Sequence, residues 1–555
     1  EVEKGWKMLE GAENHPRSQV RNSQWVLDWK SEWWRREILS AGGDIWFGVL
    51  GCGAVVESNN IRGVVVATPQ GKGIVLAEKV IDSTGSGDIA IAAGADYEYT
   101  GADSIAIQRA GVCPAQPEDN YNNTSFTYID DSDVFDVTSA FVSARDKFRL
   151  AFDISKLIDT RERRRIKGDY MVSVLDIMNK RTYPDTISMH RSNFDSHSEI
   201  LVNPLFNIIN PFKVIPEGKT ILAEVPLRAL LPKGLKNILV TGLGMSAHRD
   251  AMPVLRMQAC LENQGYAVGL LSSEAIRLGK EYREIDLTPI QKELVKLGNL
   301  EESVLKQKDN YPPSMEKVLK AIDTIPENFK NIGLVAWKLE EIIPPMREKL
   351  KKAEQINDKI SYALVLGSYG YDDGWIILRD AIDSFKEWDQ GWVGGPDNGF
   401  GKIDCPFDLD NLIIALGRCK KTEALPSIHR LAKQLSLLSS FKHYRSIAEA
   451  CETIGSQSSA PVLHDLLSMP GIRNYTIKDY KERIFSFTTR SEDPINNSNL
   501  HKSDLIRLSL REIILARALY KCGDKNKLGE TILREFASDI RGHYARHARE
   551  ILQQA

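Results

Sequence analysis

Asn237-Ile-Leu-Val-Thr-Gly242, Leu243-Gly-Met-Ser-Ala-His-Arg-Asp250 and the long run from Pro253 to Leu278 decide how this chain is read. The first piece has the pattern of a buried strand. The second is a tight Gly/polar loop, and the third has the pattern of a helix. A strand that enters a glycine turn and then a helix N-terminus is a backbone arrangement that binds phosphates and other electron-rich groups. The first helical turn leaves amide N–H groups unpaired, and the aligned peptide dipoles make that end positive. Asp250 is expected to cap the start of the helix. Val254, Leu255, Met257, Cys260, Leu261, Tyr266, Val268, Leu270, Leu271 and Ile276 make the helix apolar on nearly every face, so it belongs inside a domain. Arg256 is a cation in the first turn, where the dipole disfavours it, and it needs an anionic partner.

Length and composition bound the possibilities. A chain of 555 residues is too long for one core, and two to four domains are expected. Hydrophobic residues at 42% and charged residues at 26% are those of a globular protein. A formal charge of −3, with no long basic block, argues against nucleic acid as the main partner. No stretch approaches the apolar length that spans a membrane. The opening Glu1-Val-Glu-Lys-Gly-Trp-Lys7 has no signal-peptide pattern, and the compartment stays open. Seven scattered cysteines without a Cys-x-x-Cys pair exclude a zinc ribbon.

Upstream, residues 1–40 read as helical, with Trp29, Trp33 and Trp34 close together as packing residues. Ile45–Leu50 and Ala54–Glu57 read as short strands. Ile61–Ala67 and Gly73–Val80 read as a hairpin around Thr68-Pro-Gln-Gly-Lys72. Lys79-Val-Ile-Asp-Ser-Thr-Gly-Ser-Gly-Asp88 is a second buried strand that enters a glycine turn. Asp82 and Asp88 flank that turn as turn formers. Between the two turns, Asp130–Leu150 reads as an amphipathic helix, and Asp169–Val174 as strand-like.

The Gly242–Asp250 loop, Arg256-Met-Gln258 and Gly265-Tyr-Ala-Val-Gly269 resemble the C-terminal FAD motif of oxidoreductases with the glutathione-reductase-type flavin fold. The nearest branch is the large bacterial group called FAD-dependent oxidoreductases. Ile81-Asp-Ser-Thr-Gly85 is similar to the strand end that lies against FAD in that family. Ala54-Val-Val56 stands where a strand backbone meets the adenine. Arg161-Glu-Arg-Arg-Arg-Ile-Lys-Gly168, Asp185-Thr-Ile-Ser-Met-His-Arg191 and Val225-Pro-Leu-Arg-Ala-Leu-Leu-Pro-Lys233 also match the family's pattern. The similarity runs over about residues 40–280, half the chain.

The resemblance implies FAD as cofactor, held by Val55, Val56, Thr84, Gly85, Gly242, Gly244, Met245, Ser246 and Asp250. It implies hydride transfer between flavin N5 and a small organic or sugar-like substrate. His248, Arg249 and Arg256 are then the catalytic candidates. His248 would take a substrate proton, and Arg256 would compensate a reduced flavin or a substrate carboxylate. Arg161, His190 and Arg191 are candidates for the substrate pocket. No metal is expected, because no His/Asp/Glu cluster has ligand spacing.

One family motif is missing. Gly-x-Gly-x-x-Gly, with an acidic residue about 20 positions on, should cradle the pyrophosphate. Residue 1 is read as lying inside the flavin domain, after that unit. A companion polypeptide or cleaved segment is therefore an expected partner, with a homo-oligomer as a further expectation. The other reading is a non-catalytic interaction scaffold with a vestigial flavin fold.

From about residue 310 the pattern becomes helical, in pairs. Ser361–Gly367 precedes Trp375–Asp380, Leu412–Gly417 precedes Ala424–His429, Ile447–Gly455 precedes Ala460–Leu467, and Leu515–Gly523 precedes Leu528–Phe536. Apolar helices that end in glycine and are followed through a short turn resemble HEAT-type repeats. Glu387–Pro406 interrupts them as an insertion. The expected fold is thus an α/β FAD-binding domain, incomplete at its N-terminus (1–95 and 231–285). A mixed α+β substrate insert (96–230) divides it, and an all-α HEAT-like domain follows (310–555).

Overall fold

The computed structural model describes residues 27–115, 127–209, 220–329, 331–388, 392–393, 402–403, 408–484 and 504–554. Residues 1–26, most of the Glu387–Pro406 insertion and the Trp29 side chain lie outside the described set.

Helix α1 (Leu27–Ser40) leads into an antiparallel meander, β1 (Leu50–Glu57), β2 (Asn60–Thr68) and β3 (Gly71–Leu76). Of the two short strands expected at 45–50 and 54–57, the first is absent before Leu50, and one strand runs from Leu50 to Glu57. A register shift between Gly51 and Gly53 keeps it continuous across the residue that breaks its alternation. Strand β4 (Val80–Asp82) then enters the first glycine turn and the short helix α2 (Asp88–Ala92).

The insert contributes helix α3 (Val134–Lys147), shorter than the Asp130–Leu150 expected because Asp133 caps it through the Phe135 and Asp136 amides. It also contributes α4 (Val174–Met178) and the antiparallel pair β5 (Thr186–Ser192) and β6 (Ile221–Pro226). Asp169–Val174 is not a strand. Val172 makes an isolated bridge to Ala247, and the Ser173 capping box starts α4 at once.

Strand β7 (Ile238–Val240) pairs with β4 in parallel, Ile238 opposite Val80 and Val240 opposite Asp82. The single helix expected over 253–278 is two: α5 (Met252–Leu255) and α6 (Gln258–Leu278). The break has a cause. The His190 Nδ1–H donates to the Leu255 carbonyl at 2.8 Å, an acceptor that a continuous helix would give to the amide of residue 259. Met257, at ψ 137°, takes up the turn.

The second half is helical. Helices α7 (Ile356–Ser368) and α8 (Trp375–Ser384), α9 (Leu409–Arg418) and α10 (Leu425–Ala432), and α11 (Phe441–Ile454) and α12 (Ala460–Ser468) form successive pairs. Helices α13 (Asp504–Lys521) and α14 (Leu528–Phe536) follow, and α15 (Gly542–Gln553) ends the chain. The first helices of the pairs stack in order, α7 on α9, α9 on α11 and α11 on α13. Apolar residues of the insert, among them Ile105, Ile107, Tyr128, Ile200 and Leu205, belong to the same buried cluster as this array. The array is therefore packed onto the insert rather than tethered beside it.

Candidate functional site

Because β4 and β7 are parallel neighbours, their C-terminal turns lie side by side, the position where open α/β sheets bind ligands. Asp82, 1% exposed, builds the first turn. Its carboxylate accepts from the Thr84 amide (3.1 Å), the Thr84 hydroxyl (2.7 Å) and the amides of Ile89 (2.9 Å) and Ala90 (3.0 Å). The Asp88 amide donates to the Thr84 hydroxyl at 2.9 Å. Among the described residues, no acceptor takes the amides of Gly85, Ser86 and Gly87. Gly85 (φ +83°) and Gly87 (φ +64°) are left-handed, and nothing stands where a Cβ on Gly85 would lie. Successive free amides in such a turn form a concave site for an electron-rich group.

The second turn is fastened to the first. The Thr241 amide donates to the Asp82 carbonyl at 3.0 Å, and the Ser83 and Thr241 hydroxyls are 2.8 Å apart. A Cβ on Gly244 would stand 2.8 Å from the Gly87 nitrogen, so only glycine admits this approach. The Gly242 amide donates to Gln264 Oε1 of α6 at 2.8 Å. Thr84, Gly85, Gly242 and Gly244 are thus brought together as expected cofactor contacts.

Other expected contacts turn inward. Met245 and Ser246 are fully buried, and the Ser246 hydroxyl accepts from the Gly168 amide at 3.0 Å. Asp250 does not cap the helix. Its carboxylate accepts from the Val202 (2.9 Å) and Asn203 (2.7 Å) amides. Arg249 is held by Asp250 at 2.8 Å and Glu162 at 3.4 Å, both carboxylates fully buried. Val55 and Val56 lie on β1, whose partner is β2 rather than β4.

His248 Nδ1 accepts from the Asp250 amide at 3.1 Å, and burial lowers its pKa. Arg256 has its anion inside the protein, in Asp195 at 3.1 Å. The substrate candidates do not converge. Arg161 is buried and donates to the Arg109 carbonyl. His190 is fully buried against α5, and Arg191 is exposed and pairs with Glu301.

A cavity of about 300 Å³ opens instead beside the first turn, lined in part by Ser86, Asp88, Asp131, Lys156, Arg163 and Arg164. Arg163 pairs with Asp131 at 2.6 Å, and Arg164 pairs with Asp88. Burial raises the Asp131 carboxyl against the pull of Arg163. The arginine run 161–165 was visible in the sequence. Which of its members face the cavity was not, because only Arg165 of the run lies in a strand and the rest has no period. Among the described residues, no group of His, Cys, Asp and Glu could hold a metal ion.

Residues 30–149 and 134–294 match the family model described as FAD dependent oxidoreductase, just under half of the chain. No curated protein and no solved structure matches. The first glycine turn fits such a cofactor through the amides of Gly85, Ser86 and Gly87, which meet no acceptor among the described residues, and through the open approach at Gly85. The N-terminal half of the chain is a FAD dependent oxidoreductase domain, and FAD is the cofactor that the match indicates.

Proposed function

We propose that this chain is a flavin-dependent oxidoreductase that moves a hydride between FAD and a small organic substrate. The observation that carries the reading is the pair of glycine turns in backbone contact at the ends of β4 and β7, with three consecutive amides at the first that meet no acceptor among the described residues. FAD, when bound, supplies the redox chemistry itself as the two-electron acceptor. The amides of Gly85, Ser86 and Gly87 bind an electron-rich part of it. Asp82 fixes their direction, Thr241 holds the second turn against the first, and Gln264 holds the second turn against α6. The cavity next to Ser86 receives the substrate and limits its contact with water.

A segment with the Gly-x-Gly-x-x-Gly unit, on a companion polypeptide or a cleaved piece, is part of this proposal. Two observations support it. Strand β4 has β7 as its one strand partner among the described residues. Large apolar side chains of this domain are exposed, among them Trp46, Phe47, Leu50, Leu76 and Tyr266. Mass spectrometry of the intact assembly should find a peptide with that motif. A homo-oligomer remains a further part of the reading. The helical array is read as HEAT-like, because its pairs stack through their first helices.

The rival reading, a scaffold with a vestigial flavin fold, draws on the internal pairing of Arg249 and Arg256. A visible spectrum separates the two. The expected result is a flavin band in the native assembly that changes on denaturing release of the cofactor. A colourless assembly that retains every companion polypeptide leaves the scaffold.

A further inference from the structure

The cavity beside the first glycine turn has a composition that cofactor binding does not account for. Three cations, Lys156, Arg163 and Arg164, line it against two carboxylates, Asp88 and Asp131, a formal balance of one positive charge. The two arginines are paired, but neither is saturated. Arg164 gives an Nη2 donor to Asp88, and its side chain is 32% exposed; a guanidinium has five donors. Lys156 is exposed at the rim and makes no ion pair among the described residues. The uncharged lining consists of two serines, Ser86 and Ser132, and four apolar side chains, Val137, Phe141, Leu157 and Ile158. Leu157, next to Lys156 in sequence, is 80% exposed.

We infer that this cavity recognises a monoanionic carboxylate with an apolar body. The inference deepens the oxidoreductase reading, on which it rests, because the cavity reaches the turn assigned to FAD at Ser86 and Asp88. The carboxylate lies against Lys156 and the open donors of Arg164, where charge-assisted bonds are strongest. The apolar body covers Phe141 and Leu157 and removes that surface from water. One negative charge balances the site. A phosphate ester, with close to two, would face Asp88 and Asp131 with a charge left over. The volume, about 300 Å³, is at the small end of ligand pockets and suits a compact organic acid.

Calorimetric titration of the full chain, in its native assembly, tests this with 4-phenylbutyrate and its neutral isostere 4-phenylbutyramide. The acid should bind about tenfold more tightly, the scale of one charge-assisted hydrogen bond. Lys156→Met should shrink that preference severalfold, and Leu157→Asp should weaken the acid more than the amide. Both positions are exposed, so both variants should fold. Equal affinity for the two probes, no binding of either, or a preference unmoved by Lys156→Met overturns the inference. The visible spectrum of the same sample keeps the two readings apart. A yellow protein that binds both probes alike keeps the flavin and loses the carboxylate site. A colourless protein that prefers the acid keeps a carboxylate site and loses its role in flavin chemistry.

Discussion

Gly244 and Gly85 are both glycines of the candidate site, but they are glycine for different reasons. At Gly244 a Cβ would meet the Gly87 nitrogen at 2.8 Å and Val240 Cγ1 at 3.1 Å, both on elements fixed by the β4–β7 pair. At Gly85 the space is open, and the constraint is the backbone, at φ +83°. Gly244→Ala should therefore cost about 1–3 kcal/mol by overpacking and part the two turns. Gly85→Ala should cost roughly 1–2 kcal/mol of left-handed strain alone. Urea unfolding, together with flavin retained after gel filtration, measures both. Equal flavin retention in the two variants would mean that contact between the turns does not shape the site.

Helix α6 shows how one side chain sets the limits of an element. The sequence from Pro253 to Leu278 has a continuous helical pattern, yet His190, on β5, takes the Leu255 carbonyl and splits the helix. Burial lowers the His190 pKa from 6.5 to about 4. The sign follows from that depression: the folded protein resists protonation that the unfolded chain accepts. The stability that neutral His190 confers is full above pH 6.5 and is lost as pH falls from 6.5 to about 4. The loss should be about 3 kcal/mol across that window. His547, which donates to the Ala102 carbonyl, is lowered by burial to about 3 and acts in the same direction. Chemical denaturation at a series of pH values should show the decline, and His190→Gln should flatten part of it. An unchanged slope in that variant would place the loss elsewhere.

At the scale of the molecule, the insert and the helical array are one packed body. Arg483 and Asp136 form a fully buried ion pair at 2.6 Å between the two halves. Asp136 also accepts from the Gly542 amide at 2.7 Å, at the start of α15, and from the Asp130 amide at 2.8 Å. The Arg546 guanidinium donates to the Thr100 carbonyl at 3.2 Å, and Arg507 reaches Glu199 at 3.1 Å. Residue 131, on the wall of the candidate cavity, directly follows Asp130. Arg483→Met leaves the Asp136 carboxylate buried without its cation and should cost about 3–5 kcal/mol. Asp136→Asn with Arg483→Met should recover part of that. Loss of helical circular dichroism and release of flavin should coincide in the native protein, because the halves share a core. Two separated transitions would show that they fold independently.

The glycine turns and the paired helices were legible in the sequence because each is a local device. A strand pattern that runs into Thr-Gly-x-Gly, or an apolar helix that stops at glycine, needs only its neighbours to be understood. A match to a family over 30–294 adds the cofactor. The direction of each long side chain was not local. Arg249 read as a cation in the loop that faces the flavin and Arg256 as one that needs an anionic partner, and the fold gave them Glu162, Asp250 and Asp195. Arg161 and Arg191 part company because one is buried in the insert and the other is at its surface. Sequence alone determined which backbone could approach a cofactor. Only the tertiary structure decided which charges were left to meet a substrate, because a buried charge must be paired and the partners come from distant parts of the chain.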